Sequence, residues 1–146
     1  MRNAIFAYAL ALAGLAPAAA AQNLPIYTDA LQSGFQDYSF GGGSDFAATA
    51  PVHAGTKSIG VTYTGSWSGL QIGRNDAIDI SGYDRLRCWV HGGSTGGQTV
   101  QIEIGNHASG AKVDLDIVPV ANTWTRYDVP LDALGTTQVN YLHWRS

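Results

Sequence analysis

The feature that most constrains the fold of this chain is a two-residue alternation on both sides of a Gly/Ser/Thr run at residues 92–97. Residues 86–91 and 100–104 place an apolar side chain at every second position. Because successive side chains of a strand point to opposite faces, this pattern predicts two half-buried strands joined as a β-hairpin. One face would carry Leu86, Cys88, Val90, Val100, Ile102 and Ile104, and the other would carry Arg87, Trp89, His91, Gln101 and Glu103.

Short strand-like segments separated by turn residues continue along the rest of the chain. The composition agrees, since the 146 residues include 18 Gly and 7 Tyr, and 45% are hydrophobic. About ten short strands at even spacing are typical of a sandwich. Residues 130–135 are the one place where a helical turn is expected. We therefore predict an all-β fold, with residues 22–146 forming a single two-sheet antiparallel β-sandwich or jelly roll.

The first 21 residues have the order of a secretory signal. Arg2 precedes an apolar run at residues 4–16, and Pro17 and a string of alanines follow. This order predicts cleavage after Ala21 and a secreted protein, extracellular or periplasmic. A membrane anchor is the alternative, but the apolar run is shorter than the ~20 residues that a spanning helix needs.

Charge and cysteine content exclude some partners. The formal net charge is −3 and the basic residues are scattered, so no footprint for nucleic acid or anionic lipid is present. Cys88 is the single cysteine and lies on the apolar face, which predicts a buried, inert thiol. We expect a monomer.

The last residues predict an incomplete sandwich. A strand-like run ends at Arg145 and Ser146 without the turn or charged tail that usually closes a sheet edge. We therefore expect that a closing strand is missing from this sequence.

Several short motifs, in order over nearly all of residues 22–146, resemble those of the jelly-roll carbohydrate-binding modules attached to secreted bacterial glycoside hydrolases. These modules have a galactose-binding-like β-sandwich fold. The ordered set supports the resemblance, since each motif alone is weak. The motifs lie at residues 27–29, 34–39, 53–59, 67–70, 83–90 and 124–131.

The resemblance implies a non-catalytic module that holds a polysaccharide, often with a structural calcium ion. Asp29 matches the early acidic position of such modules, and calcium prefers oxygen ligands. The closing strand of these modules usually supplies a further acidic ligand, and this chain ends before one appears. No cofactor is required beyond that structural calcium.

Trp89 is the leading candidate for sugar contact. An indole offers a flat apolar patch to a pyranose ring, while Arg87 and His91 beside it can bond hydroxyl groups. Trp67 and Tyr38 are weaker candidates of the same kind, whereas Trp124 is interpreted as a buried aromatic. Gln101 and Glu103, with Asp114 and Asp116 beyond them, would add a polar strip. The four histidines show no metal-ligand spacing.

Two other functions stay open at this point. A small glycoside hydrolase would need a pair of carboxyl groups, and Glu103 is the only glutamate, so Asp114 or Asp116 would have to take part. A structural or adhesive surface module would share the fold without an exposed aromatic strip.

Overall fold

A computed structural model describes residues 23–146, which form an antiparallel all-β sandwich with one short 3₁₀ turn. That turn lies at Asp132–Leu134, within the predicted interval, and ends at Gly135, whose φ of 73° suits glycine. The strands are β1 (Gln36–Asp37), β2 (Gly42–Ala48), β3 (Ser58–Tyr63), β4 (Gly69–Asp79), β5 (Arg85–His91), β6 (Val100–Gly105), β7 (Lys112–Ile117), β8 (Trp124–Pro130) and β9 (Gln138–Arg145).

The strands form one continuous sheet and two separate ribbons. The five-stranded sheet has the order β1-β4-β9-β6-β7, and the two-stranded ribbons are β2-β3 and β5-β8. The predicted sandwich class is therefore confirmed. Two segments differ in detail: residues 26–30 contribute an isolated bridge rather than a strand, and β4 runs on through residues 77–79, with irregular register between Gly73 and Ile78.

The core lies between the sheet and the ribbons and follows the alternation of the sequence. Ile102 and Val129 are fully buried, and Leu142 is buried almost as deeply. The inward set predicted from β5 and β6 is confirmed, with Cys88 and Val90 partly buried and the other members buried.

The predicted hairpin is wrong. β5 pairs with β8, whereas β6 pairs with β7 and β9, so residues 92–99 connect the β5-β8 ribbon to the five-stranded sheet. Alternation determines which side chains share one face of a strand, but it does not determine which strand lies beside it. Gly92 packs too closely against the Val120 carbonyl to accept a Cβ, so the glycine run docks on the loop before β8.

The last strand is internal to the five-stranded sheet. β9 lies between β4 and β6 and pairs with both, so neither edge of this strand is open. The expectation that residues 22–146 lack a closing strand stays a prediction. The signal segment at residues 1–21 lies outside the described residues.

Candidate functional site

The outer face of the β5-β8 ribbon carries three of the residues singled out from the sequence. Arg87, Trp89 and His91 all point away from the core. The ribbon is in unbroken register, which places Asp128 opposite Arg87, Arg126 opposite Trp89, and Trp124 opposite His91. We call this surface the Arg/Trp face; its members are Arg85, Arg87, Trp89, His91, Trp124, Arg126 and Asp128.

One carboxylate on the Arg/Trp face is shared by several guanidinium groups. Nε of Arg87 lies 2.8 Å from Oδ1 of Asp128, while Arg85 and Arg126 approach its Oδ2 at 3.5 and 3.7 Å. The hydrogen bond from Arg87 and the three positive charges hold the pKa of Asp128 below its usual range, against the smaller effect of desolvation. Arg85 bonds mainly to Asp84, to which it donates two hydrogen bonds at 3.0 and 2.7 Å. Each guanidinium carries five N–H donors, so most of the donors on this face are not used by a carboxylate.

The aromatic part of the Arg/Trp face is only partly covered. Trp89 is 42% exposed. The ring of His53, from the loop between β2 and β3, stacks on the indole with 3.9 Å between centroids. Trp124 is half-buried rather than fully buried, and its ring meets both His53 and His91. The result is an aromatic cluster with one open indole next to free guanidinium donors.

Gln101 and Glu103 do not lie beside Trp89, which corrects the single platform expected from the sequence. Both belong to β6 and lie on the outer face of the five-stranded sheet. This face is on the opposite side of the sandwich from the Arg/Trp face. Glu103 is only 4% exposed and accepts hydrogen bonds from Lys112, Tyr141 and Arg145 at 2.9–3.0 Å. Burial would raise its pKa, but these partners outweigh burial and lower it.

Tyr38 and Trp67 also lie away from the Arg/Trp face. The ring of Tyr38 lies against Gly73, at the β1 edge of the five-stranded sheet, and its hydroxyl donates to Asn75 Oδ1 at 3.0 Å. Trp67 is 85% exposed in the turn between β3 and β4. Whether either residue contacts a ligand stays a prediction.

Asp29 is occupied by the backbone of a neighbouring loop. Its Oδ1 accepts hydrogen bonds from the amides of Thr56 and Lys57 at 2.8 Å, and its Oδ2 accepts one from the Thr56 hydroxyl. The two amide bonds are the main reason why the pKa of Asp29 is lowered. Within residues 23–146 no group of three or more His, Cys, Asp or Glu side chains could hold a metal ion. These hydrogen bonds account for the position of the Asp29 carboxylate without a metal ion. Calcium binding stays a prediction.

Glu103, the glutamate weighed for glycoside hydrolysis, is poorly suited to act as its general acid. A general acid needs a raised pKa, whereas the pKa of Glu103 is lowered and its carboxylate is saturated with donors. Asp114 faces the same lysine as Glu103, with Lys112 Nζ at 3.7 Å.

Sequence reasoning missed Arg126, Asp128 and His53 as members of the site. A signal for the first two was present, because residues 85–91 and 124–130 have equal length, the same alternation, and opposite charges at Arg87 and Asp128. No signal of this kind exists for His53, which reaches Trp89 through the course of a loop.

The molecule has the jelly-roll fold of carbohydrate-binding modules, as the sequence motifs predicted. It is similar to a family 29 carbohydrate-binding module variant complexed with mannohexaose, with a TM-score of 0.59 and 14% identity, over 83% of this chain and 77% of that one. A second variant, complexed with cellulohexaose, gives a TM-score of 0.55 and 15% identity, over 82% and 73%. At such identities the likeness shows the fold alone.

A curated relative matches part of the sequence. The chain is 31% identical over 112 residues to an endoglucanase of Dictyostelium discoideum. The match covers 72% of this chain but only 16% of that protein's length. No family model matches the chain. In the described residues, 23–146, no helix is long and apolar enough to cross a membrane.

Proposed function

We propose that this chain is a non-catalytic carbohydrate-binding module that holds a polysaccharide on the Arg/Trp face. The jelly-roll fold and the partial match to an endoglucanase support a role in glycan recognition. The observation that carries the choice of face is the open indole of Trp89 next to three guanidinium groups that share one carboxylate.

The expected mode of binding follows from these groups. A pyranose ring lays its C–H face on the free part of the Trp89 indole. Unused N–H groups of Arg87 and Arg126 donate to sugar hydroxyl oxygens, and Asp128 accepts from hydroxyl hydrogens. Gluco- and manno-configured oligosaccharides are the first ligands to test, because similar modules were solved with cellulohexaose and mannohexaose.

The setting of the module is part of the same proposal. The signal-like order of residues 1–21 supports secretion. The match to a small share of an endoglucanase supports attachment to a larger glycan-degrading protein. We expect a monomer that needs no cofactor to bind sugar.

Affinity electrophoresis through gels containing mannan, hydroxyethyl cellulose or xylan tests this proposal. Trp89→Ala should weaken binding about tenfold to a hundredfold, which corresponds to roughly 1.4–2.8 kcal/mol for one stacking anchor. Trp67→Ala is the matched control, since it removes an exposed indole in the turn between β3 and β4, which is not part of the Arg/Trp face, and should bind as the parent does.

Thermal melting of both variants checks that they fold. Retained affinity in folded Trp89→Ala would show that the Arg/Trp face does not bind the glycan. No binding by the parent to any polysaccharide would favour a structural or adhesive module. Release of reducing sugar by the parent would favour a hydrolase.

A further inference from the structure

A polar pocket lies at the end of the sandwich where β5 begins and β8 ends. Its volume is about 650 Å³. The turn after β4, the start of β5, the end of β8 and the loop that contains the 3₁₀ turn form its walls. We call it the Arg85 pocket; the residues that line it include Tyr83, Asp84, Arg85, Asp128, Asp132 and Thr137.

Backbone hydrogen bonds hold the walls of the Arg85 pocket together. The amide of Ile80 donates to the carbonyl of Thr137 at 2.7 Å, and the amide of Leu131 donates to the carbonyl of Asp84 at 3.0 Å. Ile80 and Leu131 also line the pocket and are buried in the core, so they give it an apolar base. The pocket is therefore formed before any ligand binds, as most small-molecule sites are.

The Arg85 pocket is continuous with the Arg/Trp face, because Arg85 and Asp128 belong to both. Trp89 and Arg85 lie four positions apart on the same side of β5, so the pocket begins about 13 Å along the strand from the indole. In the other direction β5 ends at His91, whose ring lies 5.2 Å from that of Trp124. A glycan chain anchored on the indole can therefore extend along the ribbon into the pocket.

The charges of the Arg85 pocket favour an uncharged sugar. Among the described residues, three carboxylates line it, those of Asp84, Asp128 and Asp132, and one guanidinium, that of Arg85. This excess of negative charge repels a uronate or a sulfated sugar. The hydroxyl groups of a neutral hexose can donate to the carboxylates and accept from the guanidinium. The half-buried Tyr83 adds an aromatic contact for C–H groups.

We propose that the Arg85 pocket is a second sugar subsite, which binds a neutral hexose unit of a polysaccharide that is anchored on Trp89. The role of the pocket rests on the proposed function, because the indole holds the chain that enters it. A glycan that occupies both positions is held at two points about 13 Å apart. Long oligosaccharides should therefore bind more tightly than short ones.

Isothermal titration with a trisaccharide and a hexasaccharide, each from mannan and from cellulose, tests this subsite. Thr137→Trp places a bulky ring in the pocket, since Thr137 is exposed and lines it. The variant should bind the hexasaccharide about tenfold more weakly and the trisaccharide, held at Trp89, within about twofold of the parent. Ala133→Trp is the matched control, since Ala133 is exposed in the same loop and does not line the pocket.

Asp132→Ala tests the chemistry of the pocket without filling it. Loss of this carboxylate should weaken binding of the hexasaccharide alone, by about threefold. Asp76→Ala is its charge-matched control, because Asp76 is exposed on β4 and outside the pocket. Both control variants should bind as the parent does. Thermal melting checks that each variant folds, and Asp132→Ala decides if Thr137→Trp does not.

The outcomes separate the subsite from the face beside it. Equal affinity of the parent for the two lengths, or unchanged hexasaccharide affinity in both pocket variants, would overturn the subsite. If Trp89→Ala still loses binding in that case, the Arg/Trp face stands without the subsite. Unchanged affinity of folded Trp89→Ala for both lengths would contradict the proposed function, and the subsite with it.

Discussion

The two outer faces of this sandwich are built from the same sequence pattern and differ in how their polar groups are used. On the five-stranded sheet, Glu103 accepts from Lys112, Tyr141 and Arg145, and Gln101 both accepts from Arg145 and donates to Asp116. The carboxylate of Glu103 is therefore fully bonded, whereas neither ring nitrogen of His143 beside it has a hydrogen-bond partner among the described residues. On the Arg/Trp face, Arg87 and Arg126 share Asp128 and leave donors free, while Arg85 bonds mainly to Asp84. Spare hydrogen-bonding capacity next to an open ring, rather than alternation itself, distinguishes the face that we propose as a binding site.

The outer face of the five-stranded sheet also carries exposed aromatic residues. Tyr38 and Phe40 are 41% and 39% exposed, and their rings lie close over Gly73 and Gly69, which have no side chains to displace them. The predictions below separate this face from the Arg/Trp face, first by stability and then by binding.

Glu103→Gln should lower the unfolding free energy by about 1–3 kcal/mol. The substitution removes the buried negative charge that pairs with Lys112 and Arg145. Urea unfolding measures the loss, and glycan affinity should not change. Asp114→Asn is the matched control, since its carboxylate is half exposed and lies 3.7 Å from Lys112, and it should change stability by less than about 0.5 kcal/mol. Equal losses in the two variants would contradict the buried network.

Low pH should weaken the same hydrogen-bond network around Glu103 and lower the free energy of unfolding. Because the pKa of Glu103 is lowered from 4.5 in the fold, its contribution to stability is present above pH 4.5 and is lost as the pH falls through the lowered value. Urea unfolding at several pH values should therefore show a steeper loss below pH 4.5 for the parent than for Glu103→Gln. Parallel curves would mean that Glu103 is not the group responsible.

Arg126→Met should weaken glycan binding about fivefold, a loss of about 1 kcal/mol, because it removes donors while keeping an apolar stem beside Trp89. The fold should persist, since Arg126 is 3.7 Å from Asp128, whereas the 2.8 Å contact of Arg87 remains. Isothermal titration with the oligosaccharide that binds best gives the affinity. An unchanged affinity would remove Arg126 from the site.

The sequence determined the strand faces but not the arrangement of the strands. The alternation at 86–91 and 100–104 predicted correctly which side chains are buried, because that follows from local geometry. It could not show that β5 pairs with β8, since pairing depends on contacts between residues that are about forty positions apart in the chain. Trp89 was found because its own strand exposes it, whereas Asp128 and His53 become neighbours only through tertiary structure.

His143 should give a smaller, pH-dependent effect on stability. Burial lowers its pKa from 6.5, with Glu103 opposing that shift and Arg145 and His107 adding to it. Neither ring nitrogen has a hydrogen-bond partner among the described residues. Stability should therefore fall as the pH drops below 6.5 towards the lowered pKa, because the unfolded chain binds the proton more readily. His143→Phe should make the melting temperature less dependent on pH between pH 5 and pH 7. The same pH dependence in this variant as in the parent would show that His143 does not cause the decline.

Tyr38→Ala should have the smallest effect, less than about a twofold change in glycan affinity, because its ring lies on the outer face of the five-stranded sheet and not on the Arg/Trp face. The same titration used for Arg126→Met measures it. A tenfold loss here would move the binding site to the five-stranded sheet.

The most direct test of the proposed site is an NMR titration of the isotope-labelled chain with mannohexaose and with cellohexaose, following backbone amides and indole N–H signals. Binding on the Arg/Trp face predicts that signals from Arg87, Trp89 and Arg126 shift with added sugar, while those from Gln101 and Tyr38 stay in place. Shifts confined to Gln101 and Tyr38, with Trp89 unmoved, would contradict it.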